Sequence, residues 1–463
     1  MGGALDADQE ALNVVANNVA NANTKGYTEE KPNWQENAPV MIGGASVGDG
    51  VTETGATSQR DRVLEERLDQ QQQLASASST RLTALNGIQA LFTPDSGASS
   101  ASAGDLGSDI TSFFDSFSSL ESDPTNNAMR EQVLTSASTL AGDLSSAASS
   151  LNAQKASLDQ EASGVVSQVN SLTGAIAQLN QEIESTSPDG DAGTLEDERQ
   201  QDLSQLSQLV GVNQVATQNN GLMITTTSGQ LLVSEGLSYR LTTGTVNGVT
   251  DFFLGGTDIT ADLTAGGGEL GGYLTARDAD IPSALGSLDQ LAYNISTAVN
   301  AQNNAGTDLH GVTGTAANPL DIFSQPAQAA GSAAAMSVVM TDPNQIAAAG
   351  AGNGTGDNSN AVAMANLASQ TIVNGQSPIN YYSNFVSTLG STVTEVQTEN
   401  TAQNASVTQL QAQNNALSSV NLNDEAAAMS TLENSYQAAS QVFSLLNTVM
   451  TSALNLGVET AVA

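Results

Sequence analysis

The chain contains no cysteine, and its 463 residues include a single histidine, His310. Disulfides, thiolate nucleophiles and cysteine-ligated zinc are therefore excluded, and no histidine cluster can form within the chain. Aromatic residues make up 4% of the sequence and charged residues 13%. Because large apolar side chains are sparse, any compact core must be thin. Long helices with narrow apolar seams fit this composition better than a wide globular core.

Basic residues are scarce: 11 lysines and arginines stand against 48 acidic residues, a net charge of −37. This charge disfavours nucleic acid and anionic membranes as partners. A saline environment is one explanation for the acidic net charge, because salt screens the repulsion between the carboxylates. The first 20 residues lack the basic and apolar regions of a cleavable signal peptide, and no uninterrupted apolar run reaches about 18 residues. We therefore predict no membrane insertion.

Motifs that carry catalytic or metal chemistry are missing as well. The run Gly266-Gly267-Gly268 lacks the Lys-Ser/Thr pair of a phosphate-binding loop. Asp189-Gly190-Asp191 is too short for a calcium loop and is expected to be a solvated turn. His310 is expected to be a structural or surface residue. The sequence thus predicts no catalytic residue, no cofactor and no metal site, and the protein is not expected to be an enzyme.

The C-terminal stretch 429–457 carries the strongest periodic signal. Its large apolar residues form two rows with sevenfold spacing, the second three positions after the first, namely Met429, Tyr436, Phe443 and Met450, then Leu432, Ala439, Leu446 and Ala453. This is an a/d seam held over four heptads. The other faces carry Ser, Asn, Gln and Thr, with Glu433 as the only charge. We predict a helix with packed neighbours on more than one side.

The N-terminal residues 4–23 predict a second helix, in which Leu5, Leu12 and Val19 have heptad spacing. Four asparagines cluster near its end, namely Asn17, Asn18, Asn21 and Asn23. Asparagine tolerates left-handed backbone and satisfies local backbone groups. Thr24 and Gly26 then lead out of the helix, and Tyr27 can dock back on it. The simplest alternative is an ordinary helix cap with a polar loop. Trp34, the only tryptophan, is expected to be a packing anchor, with an interface role as the alternative.

Between the two ends, periodicity predicts long helices at 59–92, 125–185 and 379–420 and shorter helices at 105–121 and 195–210. Residues 212–263 change character, since Ser228-Gly229 and Asn247-Gly248 are flanked by short β-prone runs typical of hairpins. The predicted fold class is mainly α with a small β-subdomain. It comprises an elongated chain with paired N- and C-terminal coiled-coil helices, a long-helix bundle and inserted β-hairpins.

We divide the chain into seven parts on this basis. They are an N-terminal axial helix with its loop at 1–40, a helical bundle domain at 41–211, the β-subdomain at 212–265, a helix returning to the bundle at 266–306, a short variable outer segment at 307–360, C-terminal bundle helices at 361–423 and a C-terminal axial coiled-coil helix at 424–463. The first and last parts are predicted to pair.

The N-terminal motif resembles a known family. Asn18-Val19-Ala20-Asn21 followed by Asn23-Thr24-Lys25-Gly26-Tyr27 resembles the NIAN-x-NT-x-GY signature of the axial proteins of the bacterial flagellum, which form the rod, hook and hook-associated structures. The stretches 420–425 and 432–456 are similar to the C-terminal ends of the same proteins. The segment 269–278, Glu-Leu-Gly-Gly-Tyr-Leu-Thr-Ala-Arg-Asp, resembles the LGG-x-L-x-x-R segment of the hook-associated protein 1 family.

This resemblance implies a function and a set of partners. The two chain ends would pair as coiled coils in the inner tube of the axial structure, at the junction between hook and filament. The implied partners are a homo-oligomeric ring of identical subunits, the hook protein, a second hook-associated junction protein and an export chaperone that binds the C-terminal segment. Export would use the flagellar type III apparatus, which makes the protein secreted and extracellular.

The implied assembly interface lies on the two terminal helices and the loop that follows the first. Its residues are Leu5, Leu12, Asn18, Val19, Asn21, Asn23, Thr24, Gly26, Tyr27, Met429, Leu432, Tyr436, Ala439, Phe443, Leu446, Met450 and Ala453. Two alternatives remain open. A hook or distal-rod protein would have mostly β-structure between similar ends, and a flagellar-exported effector would need a polar-lined pocket.

Overall fold

The computed structural model describes residues 2–93, 106–187, 191–246 and 248–459, without the side chains of residues 2, 42 and 456–459. The Ser/Gly/Ala-rich stretch 95–104, which the sequence predicts as a linker, lies outside these residues. So do Asp189 and Gly190 of the predicted solvated turn and Asn247 of the second hairpin. Within them the chain forms a bundle of long helices, a β-subdomain on one side of it, and a terminal unit made from the two ends of the chain.

Five helices form the bundle. They are α2 (Arg62–Ala90), α3 (Leu106–Leu120), α4 (Asn127–Thr186), α8 (Ile281–Ala305) and α11 (Pro378–Ser418). The 60 residues of α4 extend over about 90 Å at 1.5 Å per residue. Side chains of Asp61 and Asn126 accept hydrogen bonds from the first free amides of α2 and α4, which explains where both helices begin. Each begins and ends within three residues of its predicted bounds.

The bundle core is built around the first half of α4 and the aromatic face of α3. The Phe113 ring lies 5.1 Å from Phe114, 5.4 Å from Phe117 and 5.4 Å from Phe323. All four of these side chains are buried. Aromatic residues make up little of the sequence, so this cluster concentrates much of the large apolar surface that the bundle can bury.

The β-subdomain packs on the second half of α4 and on α5 (Thr194–Leu209). One sheet has four strands in the order β5-β6-β7-β8, which are Val212–Ala216, Leu222–Thr226, Leu231–Ser234 and Leu237–Ser238. The other sheet has three strands in the order β11-β10-β9, which are Thr257–Asp258, Val249–Leu254 and Leu241–Val246. All pairings are antiparallel. Their inner residues, such as Ile224 and Phe252, are fully buried against Val169 and Leu206. The predicted turn at Ser228-Gly229 joins β6 to β7.

Three short helical segments return the chain to the bundle: α6 (Thr260–Gly266), α7 (Gly268–Thr275) and a π-helical turn (Ala276–Asp280). A Cβ on Gly272 would lie 2.6 Å from the Ala77 carbonyl oxygen and 2.8 Å from the Thr80 Cβ. The second glycine of the Leu-Gly-Gly motif is therefore required by the close approach of α7 to α2.

The π-helical turn carries a buried arginine that contacts two other elements, α4 and β10. The Arg277 guanidinium donates to Asp159 Oδ1 on α4 at 2.6 Å, to the Thr250 carbonyl on β10 at 2.7 Å and to both carboxylate oxygens of Asp278 at 2.8 Å. Asp280, the last residue of the same turn, accepts two hydrogen bonds of 2.9 Å from Arg81 on α2. This single turn therefore connects the β-subdomain to two bundle helices.

Residues 306–358 differ from the predicted outer segment, because they pack into the bundle core. They contain β12 (Gly306–Thr307), α9 (Ser332–Ala335), a 3₁₀ turn (Pro343–Gln345) and β13 (Ala349–Gly350). Ile322, Phe323 and Ile346 are fully buried. Two asparagines at the end of α8 form hydrogen bonds with this irregular backbone. The Asn300 side chain accepts from the Ile322 and Phe323 amides. The Asn303 side chain donates to the Leu320 carbonyl and accepts from the Ala347 amide. Hydrophobic periodicity cannot reveal a segment held in this way. Helix α10 (Ser359–Asn366) then leads towards α11.

The terminal unit consists of α1 (Gly2–Asn21), a β-hairpin and α12 (Leu422–Glu459). In the hairpin β1 (Glu30–Glu36) pairs with β4 (Val51–Ser58), and β2 (Val40–Ile42) pairs with β3 (Ala45–Val47) nearer its tip. Residues 41–58 thus belong to this hairpin, although the predicted bundle begins at 41. The paired terminal helices and the mainly α class are observed as predicted, while α12 begins seven residues before the predicted seam.

Candidate functional site: the paired terminal helices

The two terminal helices run antiparallel to each other. Asn18 of α1 donates a 2.9 Å hydrogen bond to Glu425 of α12, and Ser435 of α12 donates a 2.9 Å bond to Asp8 of α1. Ten residues along one helix thus match ten along the other in the opposite direction. The same register puts Gly2 opposite about Gln441, so the rest of α12 extends beyond α1.

The buried face of α1 is not the predicted heptad row. Ala7, Ala11, Val14 and Val15 are buried, whereas Leu5 and Leu12 are half-buried. Val19 is 39% exposed. The close approach of the hairpin explains this difference, since a Cβ on Gly3 would lie 3.1 Å from the Val51 carbonyl oxygen of β4. With β4 on one side and α12 on another, small residues fill the space where all three elements meet.

The predicted seam of α12 is partly covered. Met429, Leu432 and Ala439, which lie in the half opposite α1, are half-buried. Tyr436, in the same half, is 36% exposed, and the later seam positions Phe443, Leu446, Met450 and Ala453 are exposed as well. We call residues 442–455 the uncovered half of α12. Within the part of the chain that the structure describes, no element covers it.

The uncovered half presents a wide apolar stripe. Seven large apolar side chains there are between 42% and 69% exposed, namely Val442, Phe443, Leu445, Leu446, Val449, Met450 and Leu454. At about 100° per residue these side chains and Ala453 span roughly 180° of the helix circumference. The opposite half carries serine, threonine and asparagine. A single coiled-coil partner buries a narrower seam, so this stripe has room for more than one neighbour.

Asn18 is the hydrogen-bonding centre of the terminal unit and is 1% exposed. Its amide nitrogen donates to the Glu30 carbonyl at 2.8 Å and to Glu425. Its amide oxygen accepts from the Tyr27 hydroxyl at 2.8 Å and from the Glu30 amide at 3.0 Å. All four hydrogen-bonding positions of the side chain are used. One residue thereby connects α1, the loop after it, β1 and α12.

The remaining motif residues shape the exit from α1. Asn21 donates to Asn17, and Thr24 donates from its hydroxyl to Asn21 at 3.2 Å. Gly26 has a φ of +85°, which favours glycine at this turn. Asn23, Thr24 and Gly26 are exposed and Tyr27 is half-buried. The motif therefore folds the chain so that the Tyr27 ring returns to α1, as the sequence predicts.

Polar contacts join the terminal unit to the bundle. Thr28 donates from its amide and its hydroxyl to Asp197 at the start of α5, at 3.0 and 2.7 Å. The Glu29 amide donates to the Ser418 carbonyl at the end of α11 at 2.8 Å, and Ser58 donates to Asp191. Sequence reasoning identified no role for these residues, because hydrogen bonds over such separations leave no periodic signal.

Carboxylates beside this junction are shifted towards their protonated forms. Burial raises the pKa of Glu65 to about 7 although Arg60 lies close by, and burial raises the pKa of Asp69 to about 7 against the hydrogen bond from Gln200. Burial also raises the pKa of Glu425 and of Glu30. The junction therefore holds several carboxyl groups in an unfavourable environment.

Neither metal nor membrane chemistry is evident in the described ranges. No group of three or more His, Asp or Glu residues there is arranged to hold a metal ion, and no helix there has the length and hydrophobicity of a membrane span. Two concave surfaces border the terminal unit, one lined mainly by polar side chains and the other by a mixture of apolar and acidic side chains.

Comparisons with known proteins match this architecture. Residues 95–317 match the family described as the flagellar hook-associated protein FlgK helical domain, and residues 2–28 match the flagella basal body rod protein family. Flagellar hook-associated protein 1 of Salmonella typhimurium is 29% identical over 67% of this chain and 57% of its own length. The Escherichia coli relative is 28% identical over the same shares. The chain thus spans less than two thirds of the length of these relatives.

A further relative covers both chains almost completely. Flagellar hook-associated protein 1 of Bacillus subtilis is 26% identical over 98% of this chain and 96% of its own length. Among solved structures, the flagellar hook junction protein FlgK from Burkholderia pseudomallei shares the fold, with a TM-score of 0.65 and 18% identity over 75% of this chain and 99% of that one.

The paired terminal helices, the long-helix bundle and the rod-type N-terminal motif match those of axial proteins of the bacterial flagellum. The relatives reported above are structural proteins of the flagellum, not enzymes. Within that class, the helical-domain match over residues 95–317 and the curated relatives support flagellar hook-associated protein 1 (FlgK).

Proposed function

We propose that the chain is a structural junction component of the flagellum that joins hook to filament through packing of its terminal helices. The observation that carries this proposal is the uncovered half of α12. Exposed contiguous apolar surface of this extent is rare on a protein that acts alone. The side chains on this stripe belong to a helix already paired along its first half, so a neighbour can continue the same packing.

The proposal includes the partners that hook-associated relatives suggest. Identical subunits form a ring, with the hook protein on one side and a second hook-associated junction protein on the other. An export chaperone covers the C-terminal segment before assembly, and the protein functions outside the cell. A partner that covers the apolar stripe before export would prevent aggregation of an otherwise exposed surface. The assembly interface comprises the motif loop, α1 and the seam of α12.

The experiment places one new charge on either face of the same helical turn. Leu446→Asp puts a carboxylate on the apolar stripe, whereas Ser444→Asp puts it on the polar face, about 200° away. Both positions are exposed, so neither substitution disturbs a buried core. We expect Leu446→Asp to abolish filament attachment and motility in a strain that lacks the native gene, and Ser444→Asp to retain both.

Electron microscopy of hooks and immunoblots of the culture medium complete this test. Filament protein released into the medium, together with filament-free hooks, is expected for Leu446→Asp only. Normal filaments in that variant contradict the proposal. The alternative of a hook or distal-rod protein predicts a different defect, because hooks themselves would then be missing.

A further inference from the structure

A groove of about 1090 Å³ lies where the hairpin, the end of α11 and the first half of α12 meet. Its floor and walls include Val15, Pro32, Leu417, Val420 and Leu432, and Trp34 stands on one side. Trp34 is 46% exposed, Leu417 is 55% exposed and Leu422 is 51% exposed. The sequence favoured a packing anchor at Trp34, but its ring borders a groove that no described residue fills.

The rim of this groove restricts what can enter it. Four carboxylates surround it, from Glu29, Glu30, Asp424 and Glu425, and Lys31 is the one cationic residue in the lining. The whole chain has a net charge of −37, so a second copy that brought acidic side chains to the rim would be repelled. A segment of another copy that carries no carboxylate avoids this repulsion, and an apolar segment also matches the apolar walls.

The uncovered half of α12 meets this requirement. Residues 434–458 contain no charged residue, and this segment carries the exposed apolar stripe. Tryptophan and leucine at a groove wall match leucine, methionine and phenylalanine on a helix face in size and polarity, and tryptophan is enriched among residues that dominate binding energy. The groove is also continuous with the α1–α12 pairing, since Leu422, Ala428 and Leu432 of α12 line it.

The chain cannot fill its own groove in this way. The lining residues of α12 end at Leu432, and a continuous helix carries Val442 about 15 Å further along. The stripe of one copy is therefore out of reach of the groove of the same copy. A contact between stripe and groove is head-to-tail, which generates a closed ring or an open helical array of identical subunits.

We propose that the groove beside Trp34 receives the uncovered half of α12 from a second copy of the chain. This proposal rests on the proposed function and specifies the surface that the terminal helix contacts. Trp34, Leu417 and Leu422 form the receiving side, and Leu446 and Met450 are among the entering side chains. Other occupants, including a second α12 stripe packed directly on the first, are distinct outcomes of the test.

Trp34 is the single tryptophan of the chain, so the wavelength of tryptophan emission reports whether the groove beside it is filled. The full-length protein is concentrated in a sulfate buffer, which screens the repulsion between acidic chains and strengthens apolar burial, while Trp34 emission and sedimentation are followed together. We expect a blue shift that grows with association, is lost in Leu446→Asp and is retained in Ser444→Asp. Association without a blue shift, or no association up to the solubility limit, overturns the proposal.

The absence of cysteine permits a second, directional test. A Trp34→Cys chain is mixed with a Leu446→Cys chain under mild oxidation, so that each molecule carries one thiol. We expect a heterodimeric cross-link, and none when Leu237→Cys replaces Trp34→Cys, although Leu237 on the β-subdomain is more exposed, at 64% against 46%. Cross-links between Leu446→Cys chains alone would overturn the groove assignment and leave the proposed role of α12 intact. In cells, loss of filament attachment in Leu446→Asp together with normal attachment in Trp34→Ala would overturn the groove assignment and leave the proposed function intact.

Discussion

Asn18 and Glu425 are 407 positions apart in the sequence, yet the side-chain amide of one donates a hydrogen bond of 2.9 Å to the carboxylate of the other. Both side chains are buried. The contact fixes the register of α1 on α12. It thereby determines how much of α12 remains uncovered, because a shift of one helical turn would cover or expose a further turn of the apolar stripe.

Replacing Asn18 by alanine should loosen the terminal unit. The change leaves the Glu30 carbonyl, the Tyr27 hydroxyl and Glu425 without a partner, and unsatisfied buried polar groups cost about 1–3 kcal/mol. We expect a loss of roughly 2 kcal/mol of local stability, or about a thirtyfold faster exchange of α1 and α12 amides. Hydrogen exchange measures it, with the exposed Asn17→Ala as control. Equal exchange in the two variants would contradict the central role of Asn18.

Periodicity predicted the helices because each buries a regular row of apolar residues. The seam from Met429 to Ala453 is also a regular apolar row on one continuous helix, although its second half is exposed. The same pattern chose Leu5, Leu12 and Val19 on α1, but alanines and valines at other positions are buried. An apolar pattern read from one helix cannot show that a hairpin will press against it and favour small residues.

Two other features were beyond the reach of sequence reasoning. In the hairpin at 30–58 neither β1 nor β4 has a buried residue, so its sequence lacks the regular apolar alternation that marks a half-buried strand. The segment 306–358 packs through single asparagine side chains rather than through repeated contacts. By contrast, Asn18 and Tyr27 could be identified, because four asparagines before Gly-Tyr are unusual for an ordinary helix cap.

Stability should fall as the pH rises from about 4 to about 7. Glu65 and Asp69 have pKa values near 7 in the folded protein against 4.5 and 3.8 ordinarily. The folded state thus binds these protons more strongly, and the stability that this contributes is lost as the pH rises through the folded pKa values. Urea unfolding at pH 5 and pH 8 measures the change.

Asp69→Asn should remove much of this dependence. Asp69 is 3% exposed, and the amide no longer has to lose a proton inside the protein, so the variant should gain roughly 2–4 kcal/mol over the native chain at pH 8. The partly exposed Glu66→Gln on the same helix is the control. A variant that is equally destabilised between pH 5 and pH 8 would show that other groups dominate.

Alanine should have opposite effects at two helical glycines. At Gly272 the added Cβ meets the Ala77 carbonyl and Thr80 of α2, so we expect a loss of about 1–3 kcal/mol. At Gly286 of α8 nothing lies within 4 Å, and alanine should stabilise the helix by roughly 0.5–1 kcal/mol. Thermal unfolding of both variants compares them. A neutral Gly272→Ala would mean that α7 can move away from α2 at little cost.

Arg277 should hold the β-subdomain on the bundle. Arg277→Met leaves Asp159, Asp278 and the Thr250 carbonyl without their donor, and removing one partner of a buried pair costs about 3–5 kcal/mol. The partial exposure of both carboxylates places the expected loss near 2–3 kcal/mol. Exchange of β9 and β10 amides should accelerate more than exchange in the first half of α4. Arg240→Met, at an exposed arginine of the same subdomain, is the control.

The most direct test of the account is the location of filament protein in a strain that lacks this gene. If the chain joins hook to filament, the strain will assemble hooks of normal length and release filament protein into the medium, and the native gene supplied in trans will restore filaments. Filaments of normal length on the hooks of the deletion strain would contradict the account.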